Sequence, residues 1–162
     1  MAEADFSRSA GGAAIGARLR RLSERIDGDV ARIYATLDVP FEQRWFGVVN
    51  QLSLHGAMSV GELAAALRIT HVSVSQTRQS LEKAGLVAAG VDPADARRKP
   101  LRLTPKGEAL VARLRPLWRA MDEASLELNA AAGDAVAALD RLDEALDQAS
   151  LFARIQARSG GG

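Results

Sequence analysis

The apolar residues of this 162-residue chain change their spacing several times along its length, and each change marks an element. From Ile15 they recur at Leu19, Leu22, Ile26, Val30, Ile33 and Leu37, the three- and four-residue steps of one long amphipathic helix, with Gly28 a weak point inside it. Val39-Pro40 stops this helix, because the residue before a proline is driven out of the α region. Phe41 to Leu54 reads as a second helix rich in large side chains, closed by His55-Gly56. Ser59 with Glu62 is a capping box that opens a third, short helix, whose apolar face is Leu63, Ala66 and Leu67. Ile69-Thr70 breaks it, and Thr70 caps a fourth helix that runs to about Ala84 and is closed by Gly85. Two short helices joined by so tight a turn form a helix-turn-helix unit.

After Gly85 the period drops to two. Leu86 and Val87 lead into turn chemistry at Asp92-Pro93-Ala94-Asp95, and Leu101, Arg102 and Leu103 alternate on the way back. The result is a β-hairpin with a long basic tip carrying Arg97, Arg98 and Lys99, a wing attached to the helix-turn-helix. Thr104-Pro105 starts another helix, whose Leu110, Leu114, Leu117, Met121, Ala124 and Leu128 form a heptad seam. Gly133-Asp134 breaks it, and Val136, Leu139, Leu142, Leu146 and Ala149 mark a final helix to roughly Ala157. The seam serves an intrachain helical core or a helix pairing between copies equally well. The fold expected is mainly α with a small β-hairpin wing, between flexible ends at 1–14 and 159–162.

Composition narrows the function classes. The chain has no cysteine, which excludes a disulfide framework and a thiolate metal site. Neither His55 nor His71 has a second ligand at metal spacing, so no metal and no cofactor are expected. Two histidines without a phosphate loop or a paired catalytic signature argue against an enzyme. Met1 to Ser9 carries Glu3 and Asp5 without an apolar run, and no stretch is long enough to span a membrane; a soluble cytoplasmic protein is expected. The net charge of +1 hides an asymmetry. Seven cations face three anions between His71 and Lys106, whereas eight anions face Arg141 alone between Ala120 and Ser150. That polarity suits a protein with one face turned to phosphates.

The fourth helix carries the chemistry. Val74 and Leu81 set its buried side, which leaves Val72, Gln76, Gln79 and Lys83 opposite, flanked by Ser73, Ser75 and Ser80, with Thr70 and His71 at its start. No anion precedes Glu82. Short hydroxyls allow close approach to a groove, glutamine offers adenine a donor and an acceptor together, and valine can meet a thymine methyl. Double-stranded DNA is the partner these residues suit. Arg97 suits a narrow minor groove, with Asp95 placed to orient its guanidinium.

These segments resemble a known family. Ser59-Val60-Gly61-Glu62-Leu63-Ala64, Leu81-Glu82-Lys83-Ala84-Gly85-Leu86-Val87, Asp92-Pro93-Ala94-Asp95-Ala96-Arg97-Arg98 and Leu101-Arg102-Leu103-Thr104-Pro105-Lys106-Gly107 are similar to the winged helix of MarR-type transcriptional regulators. The resemblance implies a homodimer on a pseudo-palindromic site, with a repressor as the expected mode. It divides the chain into a dimerisation helix at 15–39, a winged helix-turn-helix at 40–104 and C-terminal dimerisation helices at 105–158. It gives Arg97 the minor-groove role and implies release by a small effector, for which Tyr34, Phe41, Trp45, Phe46 and Trp118 are the candidate pocket. Two residues depart from the family pattern: Ala89 replaces a frequent arginine, and Arg78 a frequent apolar residue. The alternative reading is a winged helix that binds only protein.

Overall fold

The computed structural model describes residues 5–90 and 99–160 of the chain. It divides into two units, residues 1–111 and 112–162. The first begins with α1 (Phe6–Ser9), a single turn whose Ser7 N–H donates to the Asp5 carboxylate at 3.0 Å. Arg21 reaches the same carboxylate at 2.8 Å. That guanidinium, together with the Ser7 hydroxyl, holds the Asp5 carboxyl well below the usual carboxylate range. A short 3-10 turn at Gly11–Ala14 leads into α2 (Ile15–Thr36), the long helix expected from the first apolar pattern.

The second helix starts later than Pro40. The Phe41 N–H donates to the Val39 carbonyl at 2.8 Å and Glu42 is extended, so Phe41 stays outside the helix with its ring beside Tyr34. A 3-10 turn at Gln43–Trp45 then feeds α3 (Phe46–His55), which closes where Gly56 adopts φ 78°. The tertiary pairing of Phe41 outweighs its place in a helical pattern. α4 (Val60–Leu67) opens on the expected capping box: Glu62 N–H donates to Ser59 Oγ at 3.1 Å, and Ser59 N–H to Glu62 Oε2 at 2.7 Å. It buries Leu63 and Ala64, while Ala66 is exposed, a rotation of the face assigned from the pattern. Its last turn ends on Arg68 in the left-handed region, with no glycine to mark the stop. Gly47 lies where α3 crosses α4; a Cβ there would sit 3.0 Å from Leu67 Cδ2.

α5 (His71–Lys83) is capped by Thr70, whose Oγ1 accepts from the Ser73 N–H at 3.1 Å. Val74, Thr77 and Leu81 are its buried side. With Tyr34, Val48, Leu63 and Leu101 they belong to the core of this unit. Burying a valine or leucine contributes about 1.5–3 kcal/mol, so the helix-turn-helix is held chiefly by this packing. β1 (Val87–Ala89) pairs antiparallel with β2 (Leu101–Leu103), Ala88 opposite Arg102. Met58 adds a bridge on the far side of β2, exchanging two hydrogen bonds with Leu101 at 2.9 and 2.7 Å. A single bridging residue has no periodicity, so the pattern does not mark it.

α6 (Pro105–Ala131) begins on the expected Thr104 cap, with Gly107 N–H donating to Thr104 Oγ1 at 3.1 Å. It runs through Pro116, which has no N–H to return to the Ala112 carbonyl. In the second unit, α7 (Ala135–Gln148) and α8 (Leu151–Ser159) replace the single final helix of the pattern. Ala149 is extended, Ser150 Oγ caps α8 by accepting from Ala153 N–H at 3.2 Å, and Arg154 donates to the Ala149 and Ala145 carbonyls. These side-chain bonds satisfy backbone groups on both sides of the break, which makes an interruption inexpensive. Among the described residues, no helix is long and apolar enough to cross a membrane.

Candidate nucleic-acid interface

α5 presents one open face. Val72 is 66% exposed, and His71, Ser73, Gln76, Gln79 and Lys83 are exposed with it. Ser75 is half-buried. The Thr70 and Ser73 hydroxyls lie 2.9 Å apart, joined by a hydrogen bond at the head of the helix. Glu82, the one anion on α5, pairs with Arg78 at 2.8 Å, and both are half-buried away from Gln76. Arg78 therefore neutralises Glu82 beside the core rather than adding to the open face. What remains open on α5 is two amides, short hydroxyls, an imidazole, one valine and one ammonium, with no carboxylate among them.

The far end of α5 is secured by the exit of the wing. Lys106 Nζ donates to the Ala84 carbonyl at 2.8 Å, and Thr104 Oγ1 donates to the Gly85 carbonyl at 2.7 Å. Carbonyls at a helix C-terminus lack intrahelical partners, and a cation there also meets the negative end of the helix dipole. Gly107 completes the joint, since a Cβ on it would lie 2.1 Å from the Leu86 carbonyl oxygen. The run Thr104-Pro105-Lys106-Gly107 is thus a clamp on the α5 terminus. In the sequence Lys106 is one cation of the basic segment and a member of the family-like run, with nothing to mark this bond. Of the wing residues, Lys99 is exposed at the entry to β2, while Asp95, Arg97 and Arg98 lie outside the described residues. Ala89 is exposed at the end of β1 opposite Leu101.

Beside α5 the end of α2 and the segment Val39–Trp45 line an open cleft of about 810 Å³. Tyr34, Phe41 and Trp45 wall it together. Tyr34 and Phe41 meet with ring centroids 5.0 Å apart, and Phe41 meets Trp45 edge-to-face at 5.7 Å. Asp27, Glu42 and Arg44 bring charge to its rim, with Arg44 Nε donating to Glu42 Oε2 at 2.5 Å. Phe46 does not line this cleft, and Trp118 belongs to the second unit. The polar lining was missed from sequence because nothing in the Glu42-Gln43-Arg44 run distinguishes it from an ordinary charged turn. The helical pattern puts Ser80 on the flank of the open α5 face. Instead it is half-buried, its Oγ accepting from Trp45 Nε1 at 3.1 Å and from Arg44 Nη2 at 3.2 Å. A helical wheel cannot register the Val39–Trp45 segment that covers it.

A sequence model of the MarR family matches residues 37–98. No curated protein matches the chain significantly. The chain is similar to the structure of Bordetella bronchiseptica BpsR, whose DNA binding is regulated by 6-hydroxynicotinic acid. The identity is 30%, over 80% of this chain and 92% of that one, with TM-score 0.62. It is similar to the MarR family transcription regulator SP03579 at 25% identity, over 91% and 99% of the two chains, with TM-score 0.65. S. aureus MepR, solved in complex with DNA, shares the fold at 20% identity, over 82% and 98%, with TM-score 0.67. The capped helix-turn-helix, the hairpin clamped to α5 and these likenesses together place the chain in the MarR family of winged helix-turn-helix, DNA-binding transcription regulators.

Proposed function

We propose that this protein binds a pseudo-palindromic duplex as a homodimer, represses by occupying it, and is released by a small molecule. The observation that carries this reading is the open face of α5, where Gln76, Gln79, Val72 and Lys83 stand together and the helix's only carboxylate is tied to Arg78. In this reading α5 enters the major groove. Gln76 and Gln79 read base edges, Thr70, His71, Ser73 and Ser75 approach the backbone and bases at its head, and Lys83 meets phosphate. Lys99, Arg97 and Arg98 carry the wing to the adjacent minor groove, with Asp95 orienting Arg97.

Dimerisation is supported by apolar side chains on three helices. On α2, Leu19, Leu22, Ile26 and Ile33 are 39–51% exposed; on α7 and α8, Val136, Leu139, Leu146 and Phe152 are 44–71% exposed. A basic α2, with five arginines against three acids, suits an acidic α7, with four acids against one arginine, when two copies meet. Effector release is supported by the cleft of about 810 Å³, within the size range of small-molecule sites, and by the regulated DNA binding of BpsR. Titrating duplex DNA at several salt concentrations tests the reading. Binding should weaken steeply with salt, because each phosphate contact releases counterions. Gln76→Ala should change which sequences bind, whereas Lys83→Ala should weaken all of them alike. Equal effects of the two substitutions would contradict this orientation of α5.

A further inference from the structure

Ser80 joins two parts of the molecule that the proposed function keeps separate. At 100° per residue it lies about 40° around α5 from Gln76 and one turn along, at the margin of the reading face. Its hydroxyl oxygen is also the acceptor for Trp45 Nε1 at 3.1 Å and Arg44 Nη2 at 3.2 Å. Both donors belong to the wall of the cleft. Trp45 is 5% exposed, and its indole N–H donates to this oxygen. Arg44 is held from the other side by Glu42 at 2.5 Å. The reading helix and the cleft thus share one polar joint, and one hydroxyl accepts from both donors.

We propose that Ser80 is a positioning residue that couples the cleft to the reading face of α5. A molecule entering the cleft has Trp45 and Arg44 as its ready hydrogen-bond donors. Any acceptor it offers them competes with Ser80 for the same protons. Engaging that acceptor frees the Gln76 side of α5, and seating α5 on DNA in turn fixes Ser80 and the two donors. Linkage requires the two effects to be reciprocal. This inference rests on the reading of α5 as the DNA-contacting helix.

The test uses the full chain and duplexes recovered from a random library. Two measurements are made on the parent, Ser80→Ala and Ser80→Thr: duplex affinity with melting temperature, and the ¹⁵N-indole resonances. The two tryptophans are assigned from the spectrum of Trp118→Phe. Duplex binding should displace the Trp45 indole resonance of the parent. Ser80→Ala should weaken duplex binding about tenfold while still folded, the worth of roughly one hydrogen bond. Ser80→Thr, which keeps the hydroxyl, should restore most of that affinity. A Trp45 resonance that ignores the duplex overturns the coupling, and so does a Ser80→Ala that lowers melting without changing affinity. If Ser80→Ala does not fold, the parent resonance and Ser80→Thr still decide. If the parent binds no duplex at all, the DNA reading itself fails and takes this inference with it, which separates the two failures.

Discussion

Replacing Gly107 by alanine should lower the melting temperature even though it puts a better helix former on the first turn of α6. An ideal Cβ at this position falls 2.1 Å from the Leu86 carbonyl oxygen, 3.1 Å from its carbon and 3.3 Å from Leu103 Cδ2. The nearest obstacle is backbone, so no rotamer change relieves it, and α6 must part from the β1 entry by roughly 1 Å. Overpacking of this kind costs about 1–3 kcal/mol. The same displacement stretches the Thr104–Gly85 bond of 2.7 Å and the Lys106–Ala84 bond of 2.8 Å. Each contributes about 1 kcal/mol. Alanine returns at most about 1 kcal/mol of helix propensity. A net loss near 2 kcal/mol corresponds to a fall of about 4–8 °C for a chain of this size. Gly28 is the control. A Cβ there meets nothing within 4 Å, and it lies across α2 from Ile26 and Ile33, so Gly28→Ala should stabilise by about 0.4–1 kcal/mol. Calorimetric melts of both variants at one protein concentration give the answer. A Gly107→Ala that melts at or above the parent would refute the close approach on which the α5 clamp depends.

Other consequences follow from the same geometry. Lys106→Met removes the bond to the Ala84 carbonyl while keeping the aliphatic stem, and should speed amide exchange in the last turn of α5 while the capping-box amide of Glu62 stays unchanged. Arg97→Ala should weaken duplex binding and reduce the salt slope by about one, as loss of a single phosphate-region contact does; an unchanged slope removes Arg97 from the interface. Leu139→Asp on α7 should shift the sedimenting species from dimer to monomer at micromolar concentration, and a species unaffected by it places the pairing surface elsewhere.

Much of this was legible in the residues because local chemistry determined it. The Ser59–Glu62 capping box and the Thr70 cap each need only side chains three residues apart, and both formed as expected. The exposed set on α5 followed from placing Val74 and Leu81 inside. The departures came where a distant segment decided the outcome. Phe41 leaves the helix to meet Tyr34, and Ser80 is covered by Trp45 and Arg44 from a loop more than thirty residues upstream. Arg68 ends α4 in a left-handed conformation that no glycine announced. Ala149 breaks the final helix because Ser150 and Arg154 supply replacement bonds, a compensation visible only once the two ends are in place. Lys106 reads in sequence as one more cation, and only its distance to Ala84 separates a helix clamp from a phosphate contact.

If two copies of α5 read one duplex through their Gln76, Gln79 and Lys83 faces, the bound site must share their two-fold symmetry. Selection of bound duplexes from a random library, with the purified 162-residue chain, reads that symmetry out. A single enriched motif with two-fold symmetry is expected, its half-sites about one helical turn apart, roughly 34 Å. Recovery of no motif, or of one without symmetry, would contradict it.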